Sequence, residues 1–187
     1  MEQKIRIYND IDTLSFNNEG DRLEIAGYAA HFATKNLNGE YCFKESFSQF
    51  FDAYRDGKIR PILNYEHQDD KQIGSVDEVT ADDTGLYVKA HINKNIPWCR
   101  DWLIPNIEAG DIKSYSTEMV VIGGRDGVKI NDDGSYVVLS AMLTAVAVVK
   151  HPADWKSEFT VANFIEQFNS LEDVETEVKK SKWFLLF

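Results

Sequence analysis

Ile112-Lys113-Ser114-Tyr115-Ser116-Thr117-Glu118 decides how this chain is read. It opens the run Ile112 to Ile122, which reads as a strand, and the strand period of two sends Ser114, Ser116 and Glu118 to one face. Gly110 just ahead of it ends a short helix that Pro97 opens and that runs through Trp102 to Glu108, shortened or kinked by Pro105. Downstream the pattern stays β. Ile112 to Ile122 and Tyr136 to Val149 read as long Val-rich strands joined through Gly123-Gly124 and Asp132-Asp133-Gly134, and Ala141 to Val149 is apolar enough for burial on both faces.

Upstream the same grammar holds. Arg22 to Phe32 is a strand with Leu23, Ile25 and Gly27 on one side. Phe47, Phe50, Phe51 and Tyr54 recur at helical spacing, so Glu45 to Arg55 is a helix with a packed aromatic face, closed by Asp56-Gly57. Pro61 to Glu66 is a short apolar strand that delivers His67. Gln72 to Thr80 and Leu86 to Ile92 make a hairpin around Ala81 to Gly85. The expected fold class is mainly β with flanking helices (α+β), a closed or nearly closed barrel-like sheet. Residues 1–156 form that domain. Residues 157–187 form a helical C-terminal extension, with Phe164, Ile165, Phe168, Leu171 and Val174 along one face and an apolar end at Trp183 to Phe187.

Composition narrows the function. The chain has 187 residues and a net charge of −11, with 43% hydrophobic and 12% aromatic residues, so it folds. That acidity disfavours binding to nucleic acid or to an anionic membrane, both of which call for clustered Lys and Arg. No apolar run has membrane-spanning length, and the N-terminus carries no signal-like pattern. Cys42 and Cys99 lack a CxxC spacing and read as incidental thiols of a reduced, cytosolic protein.

The chemistry-bearing residues are His67 at a strand end and the serines on the later strand. Serine is a poor nucleophile until a base takes its proton, so a histidine and a serine on rigid strands are the minimum for acyl transfer. Ser116 and Ser114 compete for the nucleophile's role. Glu118 shares their face and either orients the base or, as the blander expectation, is a solvated strand carboxylate. His151 beside Pro152 reads as a loop histidine. Glu66, Asp69 and Asp70 surround His67, but zinc would require a second histidine or cysteine at close spacing, and none is near.

Read in order, the landmarks resemble the prohead maturation proteases of tailed phages, a serine-protease family related in fold to the herpesvirus assemblins. Gly27-Tyr28-Ala29-Ala30-His31-Phe32 matches the opening GYA-x-x-F strand. Gly39 and Glu45-Ser46-Phe47 follow, then Asn64-Tyr65-Glu66-His67-Gln68 for a strand ending in His-Asp. Ile73-Gly74 and Asp82-Asp83-Thr84-Gly85-Leu86 keep an Ile-Gly pair and an acidic turn. Gly110 to Met119 stands against a GALSGLSIGF-like junction, and Pro152-Ala153-Asp154 against a terminal PAN. The matches span about residues 22–155.

The resemblance implies an assemblin-like barrel and a serine endopeptidase with His67 as general base and Ser116 as nucleophile, and it makes His151 a candidate third member, since the herpesvirus relatives use a second histidine there. It implies no cofactor. Its implied substrates are the phage scaffold and the major capsid protein precursor, with trimming of the protease itself, self-association as a further expectation, and a place in the host cytoplasm inside the assembling prohead. Three departures stand out. Glu118 occupies a position where glycine is common, and Gln68 replaces Asp. Ala145-Val146-Ala147-Val148 also replaces a Glu-Val-Ser-Leu stretch, so a glutamate that would orient the histidine is missing. An inactive relative serving as internal scaffold or capsid-assembly protein is the alternative reading. Gly123-Gly124 is a candidate source of oxyanion-binding amides.

Overall fold

The structure, a computed structural model, describes residues 4–8 and 20–150. Ten strands appear: β1 Lys4–Tyr8, β2 Arg22–His31, β3 Glu40–Tyr41, β4 Ile62–Tyr65, β5 Gln68–Ala81, β6 Gly85–Asn93, β7 Ser114–Val121, β8 Val128–Ile130, β9 Tyr136–Val138 and β10 Ala141–Val149. Two short α-helices, α1 Ser48–Arg55 and α2 Ile104–Glu108, interrupt them. The fold class is therefore mainly β, as the alternation predicts.

Seven strands form one sheet in the order β1-β7-β10-β4-β5-β6-β2, and β3, β9 and β8 form a second, small one. All neighbours in the large sheet are antiparallel except β10 and β4. Register shifts within the β2–β6, β4–β5, β5–β6 and β7–β10 pairs curl it. The expectation of a closed barrel is corrected here. No ladder joins β1 to β2, so the sheet is a curled half-barrel with two edges. Gly74 and Gly85 serve the curl, because a Cβ at either would overlap a backbone carbonyl oxygen of the adjacent strand, that of His91 or of Ala30.

The concave side is filled by Leu23, Ile25, Leu63, Ile73, Ile92, Tyr115, Leu143 and Val146, all at most 1% exposed. Residues 44–47 wind as a 3₁₀ turn that runs into α1, whose Phe50 is buried, so the aromatic spacing reports core packing. Pro105 has no N–H to give to the carbonyl four residues back, and the turn ahead of it, Cys99–Leu103, is wound wide as a π-helix. The single strand expected over Tyr136 to Val149 is two. Leu139 and Ser140 break it, sending β9 to the small sheet and β10 into the middle of the large one. The C-terminal extension expected at 157–187 lies outside the described residues, as does His151.

Candidate active site

Residues 66 and 67 are the whole connection between β4 and β5, since Tyr65 and Gln68 already pair across the ladder. A two-residue hairpin closed by a type I′ turn calls for positive φ at both central positions, which usually selects Asn-Gly. Here Glu66 has φ +51° and His67 φ +58°, so two ordinary side chains are held in the left-handed region. The neighbourhood holds them there. The Glu66 N–H donates to the Val148 carbonyl at 3.0 Å, and the Glu66 carboxylate accepts the Lys150 N–H at 2.8 Å. Tyr65 is wedged edge-on against Trp98 and Trp102, with ring centroids 5.0 and 5.8 Å away. The tight turn gives the imidazole a fixed direction.

The ring points at Glu118. Nδ1 of His67 lies 3.0 Å from Oε1 of Glu118, and both side chains are buried. The same oxygen accepts a hydrogen bond from Nδ2 of Asn64 at 3.0 Å. The register explains the convergence. Asn64 on β4, Ala147 on β10 and Ser116 on β7 stand in one row across the sheet, and Ile62, Ala145 and Glu118 stand in the next. In these two rows the central strand contributes only the methyl groups of Ala145 and Ala147, so longer side chains from β7 and β4 meet over it. With the carboxylate accepting from Nδ1–H, the imidazole lone pair lies on Nε2, the tautomer a general base requires.

Ser114, Ser116 and Glu118 share the face, as the alternation predicts, and all are at most 1% exposed. The Ser114 hydroxyl makes no hydrogen bond among the described residues. Glu118 as a solvated carboxylate is corrected: it has no exposed surface and is bonded to the histidine. Gly123-Gly124 is displaced from the candidate nucleophile, because it follows the end of β7 at Val121, itself five strand residues, roughly 16 Å, from Ser116. Burial raises the Cys42 thiol to about 12 and the Cys99 thiol to about 11, so neither supplies a thiolate nucleophile. Among the described residues no group of three or more His, Cys, Asp or Glu is placed to hold a metal ion.

Asn64 is the member that sequence reasoning passed over. Its signal was there, since an amide in a strand otherwise reading Ile62-Leu63-Tyr65 must find a buried partner.

The fold resembles that of the bacteriophage T4 capsid assembly protease, with 17% identity and a TM-score of 0.60 over 80% of this chain and 98% of that one. The varicella-zoster virus protease aligns at 14% identity and a TM-score of 0.38, over 68% of this chain and 57% of the other. No curated protein matches the sequence. The model of the caudovirus prohead serine proteases matches residues 9–171, most of the chain, and the protein belongs to that family.

Proposed function

We propose that this protein is a serine endopeptidase of capsid maturation, with Ser116 as nucleophile, His67 as general base and Glu118 as the group that orients the base. The observation that carries the reading is the buried 3.0 Å contact between His67 Nδ1 and Glu118 Oε1, on the face that also bears Ser116. His67 Nε2 accepts the Ser116 hydroxyl proton as the oxygen attacks the scissile carbonyl, and then gives it to the leaving amine. Water repeats the cycle on the acyl-enzyme. Glu118 holds the ring and stabilises the imidazolium formed at each step. Backbone amides bind the oxyanion.

Family membership supports the substrate class: scaffold and major capsid protein precursor, cleaved inside the assembling prohead in the host cytoplasm. Self-trimming extends the same chemistry, and residues 157–187 are the segment proposed for removal from the 1–156 protease domain. His151 remains a rival third member, although the contact to Glu118 favours the carboxylate. The inactive-scaffold alternative rests on the acidic charge, on the helical tail and on the glutamate missing at Ala145. Glu118 supplies a carboxylate to the histidine, which answers the last of these three grounds.

Co-expression with the scaffold or capsid precursor tests the assignment. Ser116→Ala and His67→Ala should each slow cleavage by roughly 10⁴-fold while keeping the parent's circular dichroism, and Ser114→Ala should retain much of it. Cleavage at the parent rate by folded Ser116→Ala would overturn the assignment of the nucleophile. Loss in Ser114→Ala alone would move it two residues along β7.

A further inference from the structure

The strand that carries Ser116 has two edges, and both are taken. β10 pairs with one, and β1 pairs with the other, antiparallel, as the outermost strand of the sheet. The register sets Tyr8 opposite Ser116, Ile7 opposite Thr117 and Arg6 opposite Glu118. β1 has five residues and, among the described residues, ladders with no other strand. An extended peptide presented to a nucleophile on a strand is held most simply as an added strand, by main-chain hydrogen bonds to that strand's edge. The edge of β7 that remains once β10 is in place is the one β1 covers. Ser116 itself has no exposed surface, so a substrate reaches it only if something moves aside.

We propose that β1 is a self-inhibitory strand: residues 4–8 lie where a substrate peptide would lie on β7 and must leave before another chain can enter. This rests on the protease reading given above. The enzyme would then be held back by its own N-terminal segment until a precursor at high local concentration competes for the edge, as an intramolecular occupant is displaced by an abundant rival. The device is cheap to reverse, because an edge strand is tied on one side only.

Alternation in an antiparallel ladder supplies a test with an internal control. One alternating set of β1 residues exchanges hydrogen bonds with β7 and the other points its N–H away. Proline removes an N–H, so Ile5→Pro with Ile7→Pro, and separately Lys4→Pro with Arg6→Pro and Tyr8→Pro, interrupt different sets. The readout is the rate at which a fluorophosphonate probe labels Ser116 in the full-length chain. We expect one set to raise labelling tenfold or more and the other to change it far less. Synthetic peptide 4–8 added in trans should return the faster variant towards the parent rate. A chain lacking residues 1–8 should behave as the faster variant and guards against misfolding of the proline variants. Equal labelling of Ser116 in the parent, in both proline sets and in the truncated chain overturns the inhibitory role but leaves the protease reading standing. Labelling that survives in Ser116→Ala, or that is absent from every chain, overturns the protease reading instead.

Discussion

Glu118 on β7 and Ala145 on β10 face one another across the ladder, and one carboxylate serves the pair. In the family this sequence resembles, the last strand often brings the glutamate and glycine is common at the position of Glu118. Here the two positions are exchanged: a methyl group stands where the carboxylate was expected, and the opposite residue reaches over it to His67. Glu118→Gln keeps the shape but loses the charge, and should lower kcat by roughly 10⁴-fold, as loss of a triad carboxylate does elsewhere. Ala145→Glu introduced into Glu118→Gly should recover part of the activity lost by Glu118→Gly alone. Steady-state kinetics on the four members of this cycle measures the exchange, and strict additivity would sink it.

Asn64 shares one carboxylate oxygen with His67, so its loss should loosen Glu118 and leave the serine untouched. A hydrogen bond to a charged group is worth about 1.5–3 kcal/mol, and Asn64→Ala should reduce kcat about 10- to 100-fold with KM little changed. Asn64→Asp sets a second carboxyl group against Glu118. The pair then keeps a proton to higher pH, and the acid limb of the pH–rate profile should move upward. An unchanged profile would deny Asn64 its positioning role.

Glu40 on β3 has no exposed surface, and burial pushes its carboxyl up from 4.5 to about 7, opposed by the hydrogen bond that Asn36 Nδ2 donates to it at 3.1 Å. The folded protein therefore holds this proton more tightly than the unfolded chain does. The stability it contributes is fully present below pH 4.5, declines as the pH rises towards 7 and is gone above it, a change of about 3 kcal/mol. Glu40→Gln should flatten that part of the stability–pH curve in urea titrations and raise stability at pH 8.

Gly74 pairs with Ile92 on β6, and its missing side chain is what allows the approach. Gly74→Ala should cost about 1–3 kcal/mol in chemical denaturation, because the obstructing atom is backbone and cannot rotate away. A melt identical to the parent's would show that β5 and β6 part there freely.

The strands were legible because their alternation is local, and β2, β5, β6 and β7 fall close to where the pattern puts them. The row of Ser114, Ser116 and Glu118 was legible for the same reason. The environment of Glu118 was not. A glutamate at an alternate strand position reads as solvated, and only the two alanines of β10 betray the space it fills across the sheet. The turn at His67 was equally opaque, since Glu-His carries neither the Gly nor the Asn that advertises positive φ, and its conformation is enforced by Val148 and Lys150, more than eighty residues downstream. Barrel closure failed as an expectation because whether two edges meet depends on curl summed over seven strands. No local pattern records that sum.

β10, the last described strand in sequence, lies between β7 and β4, so the serine and histidine strands are separated in the sheet by the segment made after both. Until residues 141–149 have left the ribosome, β4 and β7 have no common neighbour, and Glu118 has no frame in which to meet His67. Synthesis therefore works as a timer. Such long-range pairing, one side of it parallel, also forms slowly compared with hairpins. A newborn chain therefore holds His67 and Glu118 apart until its last described strand is in place.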